Sequence, residues 1–225
     1  ERTCKPDGVH PRWLAYISQL GRKVFAAFFM LVEVLGSYPH SLQSVEVPLI
    51  AKVPAGLRPV GSLRAVVRVH GRIRRSVLQA WEATALKHDH YFNLSSGRAV
   101  TDGVWRQKCR VSYSKSSNSH CALLLWDLHK CYELVHWSLL IEMARLVSYP
   151  LVLLRVSVHM YTWGRVLVID RLVARVAFAT KGIVAGASPA TYELKALMAT
   201  TLRQHTVMYK SVVDIIVHVD DIAQD

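Results

Sequence analysis

The chain has 225 residues, 52% of them hydrophobic and 20% charged. A chain of that length buries roughly 70–75% of the surface its unfolded form exposes, which excludes intrinsic disorder, a collagen-like repeat and a disulfide-stapled miniprotein. Lys plus Arg total 28 against 16 Asp plus Glu, a formal net charge of +12, and that balance points to a polyanionic partner, nucleic acid first and an anionic membrane surface second. The longest apolar runs are stopped early, Val24–Val32 by Glu33 and Leu146–Leu154 by Arg155, whereas a spanning helix needs about 20 apolar residues, so no membrane partner is expected. Cys4, Cys109, Cys121 and Cys131 form no Cys-x-x-Cys pair and no zinc spacing, which suits a reducing, intracellular compartment. Glu1 brings neither an initiator Met nor a signal peptide, and the chain reads as a piece of a longer one.

In chain order, Ile17, Leu20, Val24, Ala27, Phe28, Leu31 and Leu35 recur at helical spacing and predict an amphipathic helix over Tyr16–Leu35, ended by Gly36, Ser37 and Pro39. Val45–Val53 reads as a strand, and Pro54, Gly56 and Pro59 as the turn that follows it. From Val47 to Trp81 there is no acid, while Lys52, Arg58, Arg64, Arg68, Arg72, Arg74 and Arg75 are basic; Arg64, Arg68, Arg72 and Arg75 fall three or four apart, on one helical face. A merely solvated face usually mixes signs, so the run favours phosphate contacts. Lys87-His88-Asp89-His90 reads as a polar loop, since no further ligands stand at metal-binding spacing.

Further on, Asn93–Gly97 is a loop, Thr101–Tyr113 a helix with Asp102 in its first turn, and Ser114–Ser119 a loop or short linker. Ala122–Trp126 is a short apolar run that stops at Asp127, followed by a helix over Trp137–Val147. Val166–Ile169 and Leu172–Phe178 flank Asp170-Arg171 as a hairpin. Gly182–Pro189 is a turn that leads into a helix through about Arg203, and Val212–Val219 is a buried-type strand ending in Asp220-Asp221.

Asp127 and Asp220-Asp221 each follow an apolar strand. A single carboxylate there is ordinarily a turn former or a helix cap. Two such sites on adjacent strands would repel unless a cation sat between them, and hard oxygen ligands suit Mg²⁺ or Mn²⁺. Two ions in such a site serve in-line phosphoryl transfer, which fits the basic surface as well.

These segments carry a family resemblance. Leu124-Leu125-Trp126-Asp127-Leu128-His129-Lys130-Cys131-Tyr132-Glu133 resembles the first catalytic motif of reverse transcriptases, and His218-Val219-Asp220-Asp221 their aromatic-x-Asp-Asp motif, with His218 in place of the usual Tyr or Phe. Lys181-Gly182-Ile183-Val184-Ala185-Gly186-Ala187-Ser188-Pro189 is similar to their glycine-rich motif, with Ala185 where Gln is frequent. Leu49–Pro54 and Leu57–Val60 are similar to the fingers segment of retroelement polymerases, and the four motifs stand in the family order.

The resemblance implies roles. Asp127, Asp220 and Asp221 would hold two Mg²⁺ or Mn²⁺ ions, with the Leu128 carbonyl a further ligand. Lys52 and Arg58 would approach the incoming triphosphate, Tyr132 would block a ribose 2′-hydroxyl, and Gly186 would lie under the nucleotide. Arg64, Arg68, Arg72 and Arg75 would contact the nucleic acid. The fold implied is α+β: a right-hand polymerase palm over 119–225, an antiparallel sheet with helices on one face that is cut off after the Asp-Asp motif, preceded by a mostly helical fingers region over 1–118. The function implied is synthesis of DNA on an RNA template from a DNA primer and deoxynucleoside triphosphates, as part of a retrotransposon reverse transcriptase most like the non-LTR class. The alternatives are a degenerate copy that only binds nucleic acid and an RNA-templated RNA polymerase.

Overall fold

The computed structural model describes residues 9–51, 56–92, 99–169, 172–209, 215–218 and 221–224. The first long element is helix α1, Gln19–Leu35. Ser18 caps its start by accepting from the Gly21 N–H at 3.1 Å, and Gly36 closes its end in the left-handed region at φ 73°. A side chain at Gly36 would collide with Arg155, whose Nη2 donates to the Glu33 and Val34 carbonyls, both at 2.7 Å. A cation there also complements the negative end of the helix dipole.

Strand β1, Val45–Ala51, turns back into β2, Leu57–Pro59, in an antiparallel pair, and β3, Ser62–Leu63, pairs with the start of β1. Helices α2, Ala65–Ile73, and α3, Arg75–Ala85, follow with a break at Arg74, where ψ is −3°. The single helical face expected for Arg64, Arg68, Arg72 and Arg75 is therefore corrected: Arg64 caps α2, Arg68 and Arg72 lie within it, and Arg75 opens α3. Long-range contacts meet at this break. Glu33 of α1 takes both the Arg74 guanidinium, with Nη2 to Oε2 at 3.0 Å, and His70 Nε2 at 2.8 Å, while the Tyr38 hydroxyl donates to His70 Nδ1 at 2.6 Å. Burial lowers the His70 pKa, so the ring is neutral, donating from Nε2 and accepting at Nδ1.

Helix α4, Val100–Ser116, runs three residues beyond its expected end, and strand β4 covers Leu124–Asp127. Helices α5, Trp137–Leu146, and α6, Leu151–Tyr161, precede the hairpin of β5, Arg165–Ile169, and β6, Leu172–Val173. Helix α7 covers Ala190–Met208, and the chain closes with β7, Ile215–His218, and β8, Asp221–Gln224.

Two sheets result. One has the order β2-β1-β5-β6 with β3 also on β1; the other is antiparallel, in the order β4-β8-β7. The parallel β1–β5 pairing, Val45 opposite Arg165 and Val47 opposite Leu167, joins the segments on either side of residue 118 in one sheet. The core continues across the same boundary: Val32, Leu78, Trp81, Leu140, Leu154, Ile183 and Ala196 belong to one buried cluster. Full burial of each large apolar side chain contributes about 1.5–3 kcal/mol, so this shared interior is what holds the helices to the sheets. Helix α7 runs through its middle, with Leu194, Ala196 and Ala199 at 1% exposure or less. Among the described residues no helix is long and apolar enough to cross a membrane.

Candidate active site

Strand β8 lies between β4 and β7, and the register makes Asp127 the direct partner of Asp221, with His218 opposite Asp221 on the other side. Directly opposed positions on antiparallel strands have Cβ atoms about 4.5–5.5 Å apart and share a face of the sheet. Two acidic positions 94 residues apart in number are thus neighbours at one end of a sheet whose other residues are mainly aliphatic. Asp127 is exposed. Asp220 lies outside the described residues. Among the described residues no group of three or more His, Cys, Asp or Glu gathers as for a metal ion, so a ligand set here depends on Asp220 joining Asp127 and Asp221.

The segment after β4 is tied to the glycine-rich turn. The Ile183 N–H donates to the Tyr132 carbonyl and the Gly182 N–H to the Val135 carbonyl, both at 2.7 Å, and Trp137 Nε1 donates to the Gly182 carbonyl at 2.9 Å. Gly182 has φ 98°, and a Cβ there would meet the Glu133 carbonyl at 2.8 Å, so both its conformation and its close approach require glycine. Gly186 has φ 95°, and a Cβ on it would stand 3.1 Å from the Gly61 carbonyl. The fingers-like, first-catalytic-motif-like and glycine-rich segments therefore meet at Gly61, Glu133 and Gly182–Gly186. Tyr132 is half-buried and packs against the core, and Leu128 is half-buried directly after β4. Lys52 lies outside the described residues; Arg58 is placed by its backbone in β2, opposite Ile50.

The basic residues divide by environment. Arg64 is half-buried and its Nε donates to Ser44 Oγ at 3.1 Å. Arg68 is half-buried beside the Ser188-Pro189 end of the glycine-rich turn, and burial first, then repulsion from Arg72, lowers its pKa. Arg72 and Arg75 are exposed. Arg74 is committed to Glu33. If the exposed pair contacts phosphates, substitution of both Arg72 and Arg75 by Gln is expected to flatten the log–log salt dependence of RNA binding by about 1.4–1.8, since each phosphate contact adds roughly 0.7–0.9. Arg74→Gln should leave that slope unchanged. Equal slopes for all variants, read by fluorescence anisotropy across a salt series, would assign Arg72 and Arg75 to a solvated face.

Several charged residues resolve into structural roles that no local pattern announces. Asp89, from the polar run at 87–90, is buried and takes Arg203 through both oxygens, with Nε to Oδ1 at 3.0 Å and Nη2 to Oδ2 at 2.8 Å. Lys195 of α7 pairs with Glu82 of α3, both buried. Glu193 is fully buried, accepts from the Tyr161 hydroxyl, and burial pushes its carboxyl up to about 7.

A scan against protein-family models finds no match, and a search of the curated proteins finds none. Solved structures do match. The apo telomerase of Candida tropicalis aligns over 92% of this chain and 43% of its own, with a TM-score of 0.57 at 12% identity. The same enzyme truncated from its C-terminal domain gives 82% and 44% coverage, a TM-score of 0.54 and 12% identity. Telomerase of Candida albicans, in complex with a TWJ fragment of telomeric RNA, gives 83% and 39% coverage, a TM-score of 0.54 and 13% identity. The chain thus spans about two fifths of the length of these neighbours. At such identities the likeness is one of architecture, and in architecture the chain has a reverse-transcriptase-like α+β fold, with a palm-like sheet and helical fingers.

Proposed function

We propose that the chain is the fingers (1–118) and palm (119–225) part of a reverse transcriptase that extends a DNA primer on an RNA template, with the residues of a retrotransposon polymerase of the non-LTR kind. The observation that carries this reading is the direct pairing of Asp127 with Asp221, the residue that follows Asp220 in the sequence. In it, Asp127, Asp220, Asp221 and the Leu128 carbonyl would hold two Mg²⁺ or Mn²⁺ ions, whose chemistry would be to activate the primer 3′-hydroxyl and neutralise the leaving pyrophosphate. The chain's own residues position and select. Arg58 and Lys52 meet the triphosphate, Arg72 and Arg75 meet strand phosphates, and the Gly182–Gly186 turn supplies a side-chain-free surface under the nucleotide.

The test is manganese titration of the protein followed by paramagnetic broadening. Amides around Asp127 and Asp221 should broaden first, and Asp127→Asn should abolish the effect. Broadening that persists in the variant, or that centres elsewhere, would remove the catalytic reading and leave a nucleic-acid-binding chain without catalysis. A telomerase-like reverse transcriptase is the second reading, favoured by the neighbours named above, and it uses the same chemistry.

Sugar choice is assigned to Tyr132, five residues after Asp127. Because exclusion of a 2′-hydroxyl is steric, Tyr132→Ala is expected to raise ribonucleotide relative to deoxynucleotide incorporation by roughly 10–200-fold, the range over which a pocket discriminates by one small group. Tyr132→Phe should not change it. Equal use of both sugars by the unaltered protein would favour an RNA polymerase.

A further inference from the structure

Helix α4 carries a face that the site described above leaves unused. From Gly103 to Trp126 the chain has no acid, while Arg106, Lys108, Arg110 and Lys115 are basic. The acid of the helix, Asp102, is turned to its own N-terminus, where Oδ2 accepts from the Ala99 N–H at 2.7 Å. Trp105 and Tyr113 stand 68% and 74% exposed, and Lys108 and Lys115 are exposed with them. At about 100° per residue, Trp105 lies near the middle of the exposed half of the helix, with Lys108 and Lys115 about 60–80° to one side and Tyr113 about 80° to the other.

The helix is tied beside the sheet that carries the carboxylates. Arg106 Nη1 donates to the His90 carbonyl at 3.2 Å, and the neighbouring Tyr91 carbonyl accepts from the Val217 N–H of β7 at 2.7 Å. The segment that borders the β7 edge of the β4-β8-β7 sheet is therefore the one that holds α4. A merely solvated face has little use for an indole, since tryptophan is on average a highly buried residue, and an acid-free run of cations calls for a partner of negative charge. Rings interleaved with cations suit an unpaired nucleic-acid strand, whose bases stack on the rings while its phosphates meet the cations. In a duplex the base faces are already covered, so such a surface takes unpaired bases. Trp105 and Tyr113 are about 12 Å apart along the helix axis, against about 3.4 Å between stacked bases, so each ring would take its own base of an extended strand.

We propose that the exposed face of α4 is a stacking platform for unpaired RNA, with Trp105 and Tyr113 each taking a base and Lys108 and Lys115 meeting the phosphates. The proposal rests on the polymerase reading for the identity of the strand: template not yet copied is unpaired RNA, whereas copied template is paired with the product. The recognition itself needs neither a metal nor the carboxylates.

The test is fluorescence anisotropy, without divalent metal, of a labelled oligouridylate of about 12 nucleotides, a length within the site size of single-strand-binding modules. Trp105→Ala should weaken binding roughly 5- to 150-fold, the worth of one stacked base, with the salt slope unchanged, and Trp105→Phe should keep most of the affinity. Tyr113→Ala should act in the same way. Lys108→Gln combined with Lys115→Gln should flatten the log–log salt slope by about 1.4, at about 0.7 per phosphate on a single strand. An abasic ribose-phosphate chain of the same length and an RNA duplex should bind without sensing Trp105→Ala. Unchanged oligouridylate affinity in both alanine variants would overturn the proposal. An equal loss on the abasic chain would overturn it as well, by assigning the rings to the fold and not to bases. Self-association that Trp105→Ala removes would assign the face to a second copy of the chain, and tighter binding of oligothymidylate than of oligouridylate would assign it to a DNA strand; either result overturns it. Failure here is distinguishable from failure of the polymerase reading. Asp127→Asn should bind the oligouridylate as the unaltered protein does, and binding lost through Arg72 and Arg75 alone would remove the platform while leaving the polymerase reading intact.

Discussion

Asp127→Asn is expected to lower nucleotide incorporation about a thousandfold or more and at the same time to leave the folded protein as stable as before, or slightly more so. The two halves have one cause. Asp127 sits directly opposite Asp221, and like charges on directly opposed strand positions destabilise a sheet by roughly 0.2–1 kcal/mol, so removing one of them relieves the fold. The same pair of charges suits a cation, whose stabilisation of transition-state charge is worth several kcal/mol, and about 4 kcal/mol is a factor of a thousand. Added Mg²⁺ or Mn²⁺ should raise the melting temperature of the unaltered protein, because binding to the folded state alone stabilises it, and should not raise that of the variant. A structural Asp127 would give the opposite pattern, with lower stability and proportionate loss of activity. Melting curves with and without metal, alongside primer extension, distinguish the two.

What the sequence revealed was what local pattern can carry. The apolar spacing of α1 and its Gly36 stop, the Val- and Ile-rich β1, the antiparallel pairing of β5 with β6, though β6 ends at Val173 and not at Phe178, and the entry to α7 after Pro189 all follow from periodicity and turn residues within a few positions. Helix α6 did not, because Leu151–Tyr161 is rich in Leu and Val with little polar interruption, and a buried helix of that kind has no amphipathic period to read. The charge run from Lys52 to Arg75 looked uniform because its acid, Glu33, stands outside the window; folding brings Glu33 onto Arg74, where α2 gives way to α3. Asp127 and Asp220-Asp221 were legible as acids that follow apolar runs, and the register that sets Asp127 opposite Asp221 was not, since pairing between β4 and β8 is a property of the sheet.

Lys195→Met is expected to cost about 3–5 kcal/mol of stability. Lys195 and Glu82 are each 5% exposed, and the Lys195 ammonium also stands 5.8 Å from the Phe92 ring centroid and 5.9 Å from that of Tyr192. Removing the ammonium leaves the Glu82 carboxylate buried without its counter-charge, which is what makes breaking a buried pair so much worse than lacking one. In a protein of this size 1 kcal/mol shifts the melting temperature by about 2–4 °C, so a fall of roughly 6–20 °C is expected by circular dichroism. Lys195→Met combined with Glu82→Leu should recover most of it, because apolar residues of similar volume replace a buried pair at little cost or at a gain. Full loss in the double variant would mean that the pair specifies the packing of α7 and not merely its charge balance. That outcome bears on function, for α7 begins directly after the glycine-rich turn and is held to the α3 side by Lys195–Glu82 and Arg203–Asp89. A loosened α7 would displace Gly182–Gly186 from Gly61 and Glu133, so the double variant's incorporation rate, compared at a temperature well below its melting point, reports how rigidly that turn must be held.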